Sequence, residues 1–271
     1  MSKKESTFKE LMESSSSSRK TRVVLALDLS ARLSKDSLDK TRSELLGKAV
    51  GTIDSTNEHI AALKINHQLL LPLGLYDMLQ VVIERAKKYG LPLIMDCKAN
   101  DVEHTNRWIA RHYFDAGFDA IIANPFVGWE GGIEPIMCES KERGKGVILL
   151  TYMSHKGATE GYGQQVLPAG SANPKPQYLL FAEKAAKWGA DGVLVGATYP
   201  EKIREVYKAT EGKVPIYSPG IGAQGGEIEA VFKAGCRYGI VGRSIYESDN
   251  PGNAAATIKD EINRILERLT L

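Results

Sequence analysis

A chain of 271 residues has the length of one (β/α)8 barrel, ~250 residues, and its 43% hydrophobic and 25% charged residues exclude disorder for most of it. Its 35 Lys and Arg against 33 Asp and Glu leave a net charge of +2, so no global field calls for nucleic acid or an anionic membrane, and an anionic ligand has to be met by local charges. No apolar run approaches the ~20 residues of a transmembrane helix, and three widely spaced cysteines, Cys97, Cys138 and Cys236, suggest neither a disulfide framework nor a zinc site, which points to a reducing, cytoplasmic compartment.

Residues 1–20 are polar, with Ser14 to Ser18 in a row, and read as a flexible N-terminal tail ahead of a single domain over 21–271. They lack the apolar core of a secretory signal, and Glu5, Glu10 and Glu13 argue against a transit peptide. Eight apolar runs rich in Val, Ile and Leu then recur, each followed by a polar or helical stretch: Val23 to Leu27, Ile60 to Ile65, Pro92 to Asp96, Ala120 to Asn124, Gly146 to Thr151, Gly192 to Gly196, Pro215 to Ser218 and Tyr238 to Val241. This is the pattern of βα units around a parallel sheet.

Between the runs, Met78, Leu79, Val82, Ile83 and Ala86 share one helical face, and Ile258, Ile262, Ile265, Leu266 and Leu269 share another. Gly90, Gly117, Gly189 and Gly235 stand where helices should stop before the next strand. Eight such units without a further domain predict an α/β fold, a single-domain (β/α)8 TIM barrel. The stretch from His155 to Pro176, with Pro168, Pro174 and little periodicity, predicts a long loop at the C-terminal mouth, where barrel active sites are built.

Charged and polar residues collect at the predicted strand ends: Asp28 after the first, Lys64 in the second, Asp96 and Lys98 at the third, Ser154 after the fifth. Alternation along a strand puts Asp96 and Lys98 on one face and Cys97 on the other, while Asp101 lies just beyond in the loop. Carboxylates on either side favour the ammonium form of Lys98, so it is poised to give a proton rather than to act as a Schiff-base amine, which needs a lowered pKa. Ser218-Pro219-Gly220-Ile221-Gly222-Ala223-Gln224-Gly225-Gly226, leading into a helix at Glu227 to Ala234, reads as a phosphate cradle, and Gly242-Arg243 supplies a guanidinium for the same dianion. The five histidines, His59, His67, His104, His112 and His155, show no metal-ligand spacing, and Lys98 would compete with a cation for Asp96 and Asp101, so no metal is expected.

From Val23 to Leu269 these residues resemble the orotidine 5'-phosphate decarboxylase family. Asp96-Cys97-Lys98-Ala99-Asn100-Asp101-Val102 is similar to its D-x-K-x-x-D-[IV] signature, with Thr105 at the family's threonine. Leu27-Asp28, Leu63-Lys64, Met153-Ser154-His155, the Ser218 to Gly226 segment and Val241-Gly242-Arg243-Ser244 resemble its other site segments. The resemblance implies cofactor-free conversion of orotidine 5'-monophosphate (OMP) to uridine 5'-monophosphate (UMP) and CO2, the last step of de novo UMP synthesis. Lys98, Asp96, Asp101 and Lys64 would be catalytic, with Lys98 the proton donor to C6. Asp28 and Lys64 would hold ribose hydroxyls and Ser154 the pyrimidine. Pro219, Gly220, Gly222, Gln224, Gly242 and Arg243 would hold the phosphate. It also implies a homodimer in which Asp101 and Thr105 reach into the partner's site. The same D-x-K-x-x-D motif occurs in Mg²⁺-dependent sugar-phosphate relatives, which leaves that chemistry, and a non-catalytic nucleotide-binding role, as alternatives.

Overall fold

The computed structural model describes residues 6–222 and 227–270. Each of the eight predicted runs is a strand: β1 Val23–Ala26, β2 Ala62–Asn66, β3 Leu93–Ala99, β4 Ala120–Ala123, β5 Gly146–Tyr152, β6 Gly192–Val195, β7 Ile216–Pro219 and β8 Tyr238–Val241. Every strand pairs in parallel with its neighbours in sequence, and β1 closes on β8 through the register Val24↔Ile240, giving a closed barrel. The strands are buried on both faces, against the barrel interior and against the helices outside. That is why they read as continuous apolar runs rather than as alternating ones.

The two helical faces read from spacing pack as expected over most of their length. Leu79, Val82, Ile83 and Ala86 are buried in the helix Leu79–Lys88, and Ile262 and Ile265 in the helix Pro251–Thr270, whereas Leu269 is exposed. Gly117 and Gly189 end their helices in the left-handed conformation, φ +113° and +74°, which a Cβ would strain. No helix among the described residues is long and apolar enough to cross a membrane.

The N-terminal segment departs from the expectation of a flexible tail. Phe8–Arg19 is a helix with a capping box in which Thr7 Oγ1 accepts from Glu10 N–H and the Glu10 carboxylate accepts from Thr7 N–H. It lies across the N-terminal ends of the strands. Phe8 and Met12 are each 1% exposed, and a Cβ on Gly146, at the start of β5, would sit 2.2 Å from the Phe8 ring. Ser15 Oγ donates to the Ala61 carbonyl and Ser16 Oγ to the Thr21 carbonyl, both at 2.6 Å. The serine run therefore docks through its hydroxyls, while two apolar residues one turn apart supply the hydrophobic anchor, worth ~2–3 kcal/mol for a buried Phe. The 155–176 connection is also partly ordered: a short helix, Ala158–Gly161, precedes a two-stranded ribbon of Gln165–Val166 with Lys175–Pro176.

Candidate active site

The C-terminal mouth of the barrel opens into a cavity of about 280 Å³. Leu150, Leu194 and Ile240, from β5, β6 and β8, make an apolar floor beneath a polar rim. The rim is built strand by strand. In the register that closes the barrel, Ala26 of β1 lies beside Lys64 of β2, and Asn66 of β2 lies beside Asp96 of β3. The side chains at these strand ends therefore converge: Lys64 Nζ donates to Asp28 Oδ1 at 3.0 Å and to Asp96 Oδ2 at 2.9 Å, and Lys98 Nζ donates to Asp96 Oδ1 at 2.6 Å.

The result is a row of alternating charge, Asp28, Lys64, Asp96, Lys98, whose two inner members are the most deeply buried. Burial would lift the Asp96 carboxyl, but the ammonium groups of Lys64 and Lys98 outweigh it and hold the carboxyl at about 2. Burial likewise opposes the charge on Lys64, and Asp96 and Asp28 together overcome it, raising that amine above its ordinary value. The row ends at Lys98, whose side chain keeps 36% of its surface exposed against 4% for Lys64. Both lysines line the cavity, and Lys98 is the more exposed cation of the row. Both oxygens of Asp96 already face ammonium groups, which would be like-charged neighbours of any metal ion set there.

Strand alternation puts Asp96 and Lys98 on the cavity side, as the sequence requires, but the strand is not regular between them and β4. The pairing register of β3 with β4 shifts between Met95 and Ala99, and Lys98 takes φ +49°, a left-handed conformation costing on the order of 1 kcal/mol in a residue with a Cβ. Cys97 faces away and donates its thiol to the Ile122 carbonyl at 3.4 Å. Burial pushes that thiol up to about 12, so it stays protonated and unreactive near neutral pH.

On the opposite rim Ser154 follows β5, in contact with the loop after β6. A Cβ on Gly196 would come within 2.6 Å of Ser154 Cα, so only glycine lets the two loops approach this closely. Pro219 and Gly220 at the end of β7, and Gly242 and Arg243 at the end of β8, complete the wall. Gly222 does not line the cavity. It turns the chain at φ +76° against Ser244, bringing the β7 and β8 loops together. Ser218 is turned away, fully buried, donating to the Val195 carbonyl at 2.6 Å. Gln224 lies outside the described residues.

Asp101 and Thr105 are not brought to this cavity. Both are exposed, at and just beyond the loop that follows β3. Two polar lining residues escaped the sequence reading. Asn66 follows Lys64 by two on the same strand face and also caps the helix His67–Leu73, accepting from Gln68 N–H at 2.9 Å. Tyr246 reaches the cavity from the turn after Arg243 and donates to the Asp28 carbonyl at 3.4 Å. The i, i+2 spacing could have found Asn66. Nothing local pointed to Tyr246.

The family model described as the orotidine 5'-phosphate decarboxylase / HUMPS family matches residues 21–258. Among curated relatives, the orotidine 5'-phosphate decarboxylase of Methanosarcina barkeri is 34% identical over 250 residues, covering 92% of this chain and 98% of the relative. That of Thermococcus kodakarensis is 35% identical over 246 residues, covering 91% and 99%. The crystal structure of orotidine 5'-monophosphate decarboxylase from Methanocaldococcus jannaschii complexed with the inhibitor BMP superposes with a TM-score of 0.73 at 29% identity. That alignment covers 90% of this chain and 99% of that one.

Proposed function

The chain belongs to the orotidine 5'-phosphate decarboxylase / HUMPS family, and from that premise we propose that it converts OMP to UMP and CO2 without metal or cofactor, completing UMP synthesis in the cytoplasm. The observation that carries the reading is the row Asp28–Lys64–Asp96–Lys98 beneath a rim of glycines and one arginine.

Loss of CO2 breaks the C6–carboxylate bond and leaves the electron pair on C6 of the pyrimidine. The Lys98 ammonium, at the open end of the row, stabilises that developing charge and then transfers its proton to C6, after which solvent restores the lysine. Asp96 keeps Lys98 aimed through their hydrogen bond. Lys64 keeps Asp96 ionised, and Asp28 in turn balances Lys64 while offering its exposed edge to the ribose. Charge neutrality within the row means that the site needs no proton from elsewhere before substrate arrives.

Ser154 is assigned to the pyrimidine amide edge. Pro219, Gly220, Gly242 and Arg243, with Gln224 from the adjoining segment, are assigned to the phosphate, whose binding energy is available to order the 155–176 connection over the cavity. Asp101 and Thr105 are exposed and do not line their own cavity, which supports a homodimer in which they complete the partner's site. Val102 and Trp108, exposed beside them, supply apolar surface for that contact.

The test is to follow the pyrimidine absorbance of OMP on adding purified protein in the presence of EDTA. Turnover unaffected by the chelator is the expected result. No turnover of OMP at any substrate concentration would sink the assignment, and activity that EDTA abolishes and Mg²⁺ restores would move it to the sugar-phosphate branch of the family.

A further inference from the structure

Asn106 is a wholly buried polar side chain in the first turn of the helix Glu103–Ala116. Both of its amide N–H groups and its carbonyl oxygen have partners. Nδ2 donates to the Asp101 carbonyl at 2.6 Å and to the Gly132 carbonyl at 2.8 Å, and Oδ1 accepts from the Asp101 N–H at 3.2 Å. One side chain therefore grips both backbone groups of a single residue and ties that residue to the loop after β4. Gly132 presents its carbonyl from a turn so tight that a Cβ there would lie 2.7 Å from the Val127 carbonyl oxygen. The Asp101 carboxylate is braced as well, with Oδ1 accepting from Val102 N–H at 2.7 Å, yet the side chain remains exposed.

A buried amide whose two donors and carbonyl oxygen are all paired holds one geometry, because any shift leaves one of those groups unpaired away from water. Here the geometry held is that of an exposed acid that does not line its own subunit's cavity, three residues beyond Lys98 on a loop anchored in the same strand as Asp96 and Lys98. We propose that Asn106 is a positioning residue for Asp101, setting where its carboxylate reaches in the neighbouring subunit's cavity. The inference rests on the reading that Asp101 completes the partner's site.

Hybrid dimers test both and keep them apart. A Lys98→Ala chain mixed with an Asp101→Ala chain gives hybrids with one intact site, formed by the second chain's Lys98 and the first chain's Asp101. Half of randomly mixed dimers are hybrids with one intact site of two, so recovery approaches about one quarter of wild-type activity. No recovery overturns the partner reading itself.

Asn106→Ala is then added to one chain at a time. On the Lys98→Ala chain, which donates the working Asp101, it should lower the recovered activity by about tenfold to a hundredfold, as a misplaced catalytic group does. On the Asp101→Ala chain it should leave the recovered activity within about twofold, since that chain's own Asp101 is already disabled. Equal losses on both chains, or no loss on either, overturn the assignment of Asn106 while leaving the partner reading intact. If Asn106→Ala does not fold, the near-isosteric Asn106→Asp takes its place. Failure of both to fold, with Asp101→Ala folding normally, also overturns it, because Asn106 would then be a residue of the fold alone.

Discussion

Replacing Lys64 with methionine removes the ammonium from the centre of the charge row while keeping an apolar stem of similar length. In the wild-type protein Asp96 is 9% exposed and its carboxyl stands at about 2, against an ordinary 3.8. Each tenfold change in acidity is about 1.4 kcal/mol, so that difference corresponds to about 2 kcal/mol of stability. The folded value lies below the unfolded one. The stabilisation is therefore fully present above the ordinary value and is lost as pH falls from there through about 2. Lys64 is raised instead, so its contribution is complete below its ordinary 10.5 and disappears only as pH rises through its still higher folded value, outside the acid range. In Lys64→Met, burial of Asp96 is opposed by Lys98 alone, and Asp28 loses its partner. Breaking a buried pair on one side costs about 3 kcal/mol at pH 7. Because Asp96 can protonate more readily without Lys64, the gap between the two proteins should narrow by at least about 1 kcal/mol by pH 3. Urea unfolding midpoints at matched pH values measure it, with m compared to ensure the same transition is being read. A gap that is constant or widens toward low pH would refute the electrostatic account.

Lys98→Ala should lose at least about 100-fold in kcat, while still binding UMP in a calorimetric titration; near-wild-type kcat would remove Lys98 from the chemistry. Arg243→Ala should weaken UMP about tenfold to a hundredfold, the worth of a charge-assisted hydrogen bond, and leave uridine binding unchanged, so an equal loss for both ligands would contradict a phosphate role. Phe8→Ala should cost about 3–5 kcal/mol in urea unfolding, and a cost below about 1 kcal/mol would mean the N-terminal helix is not anchored as the packing against Gly146 requires. A maleimide at pH 7 should label Cys138, which is exposed, and spare Cys97 and Cys236, each with its thiol pushed up to about 12 by burial. Rapid labelling of Cys97 in the folded protein, read by peptide mass spectrometry, would contradict the direction of its side chain.

The barrel itself was legible because burial on both faces writes each strand as an unbroken apolar run, and because glycines such as Gly117 and Gly189 stop helices at positions that only φ > 0 permits. Period-two alternation was enough to put Asp96 and Lys98 on one face with Cys97 behind them. The N-terminal helix was misread for a physical reason: beyond Phe8 and Met12 its docked face is serine, with Ser15 donating to the distant Ala61 carbonyl and Ser16 to the nearby Thr21 carbonyl, and such bonds add nothing to a hydrophobic period.

Residue types and their spacing along single strands thus determined which elements form and which side chains face the mouth. Only the tertiary structure decided which of those side chains meet. Lys64 bridges Asp28 and Asp96 because closure of the sheet sets Ala26 beside Lys64 and Asn66 beside Asp96. Lys98 turns onto Asp96 through a left-handed residue at a shifted register. Asn106 clamps Asp101 because two mouth loops come within one side chain's reach. Distances between residues far apart in the chain are set by register and packing, and neither is encoded in any one segment.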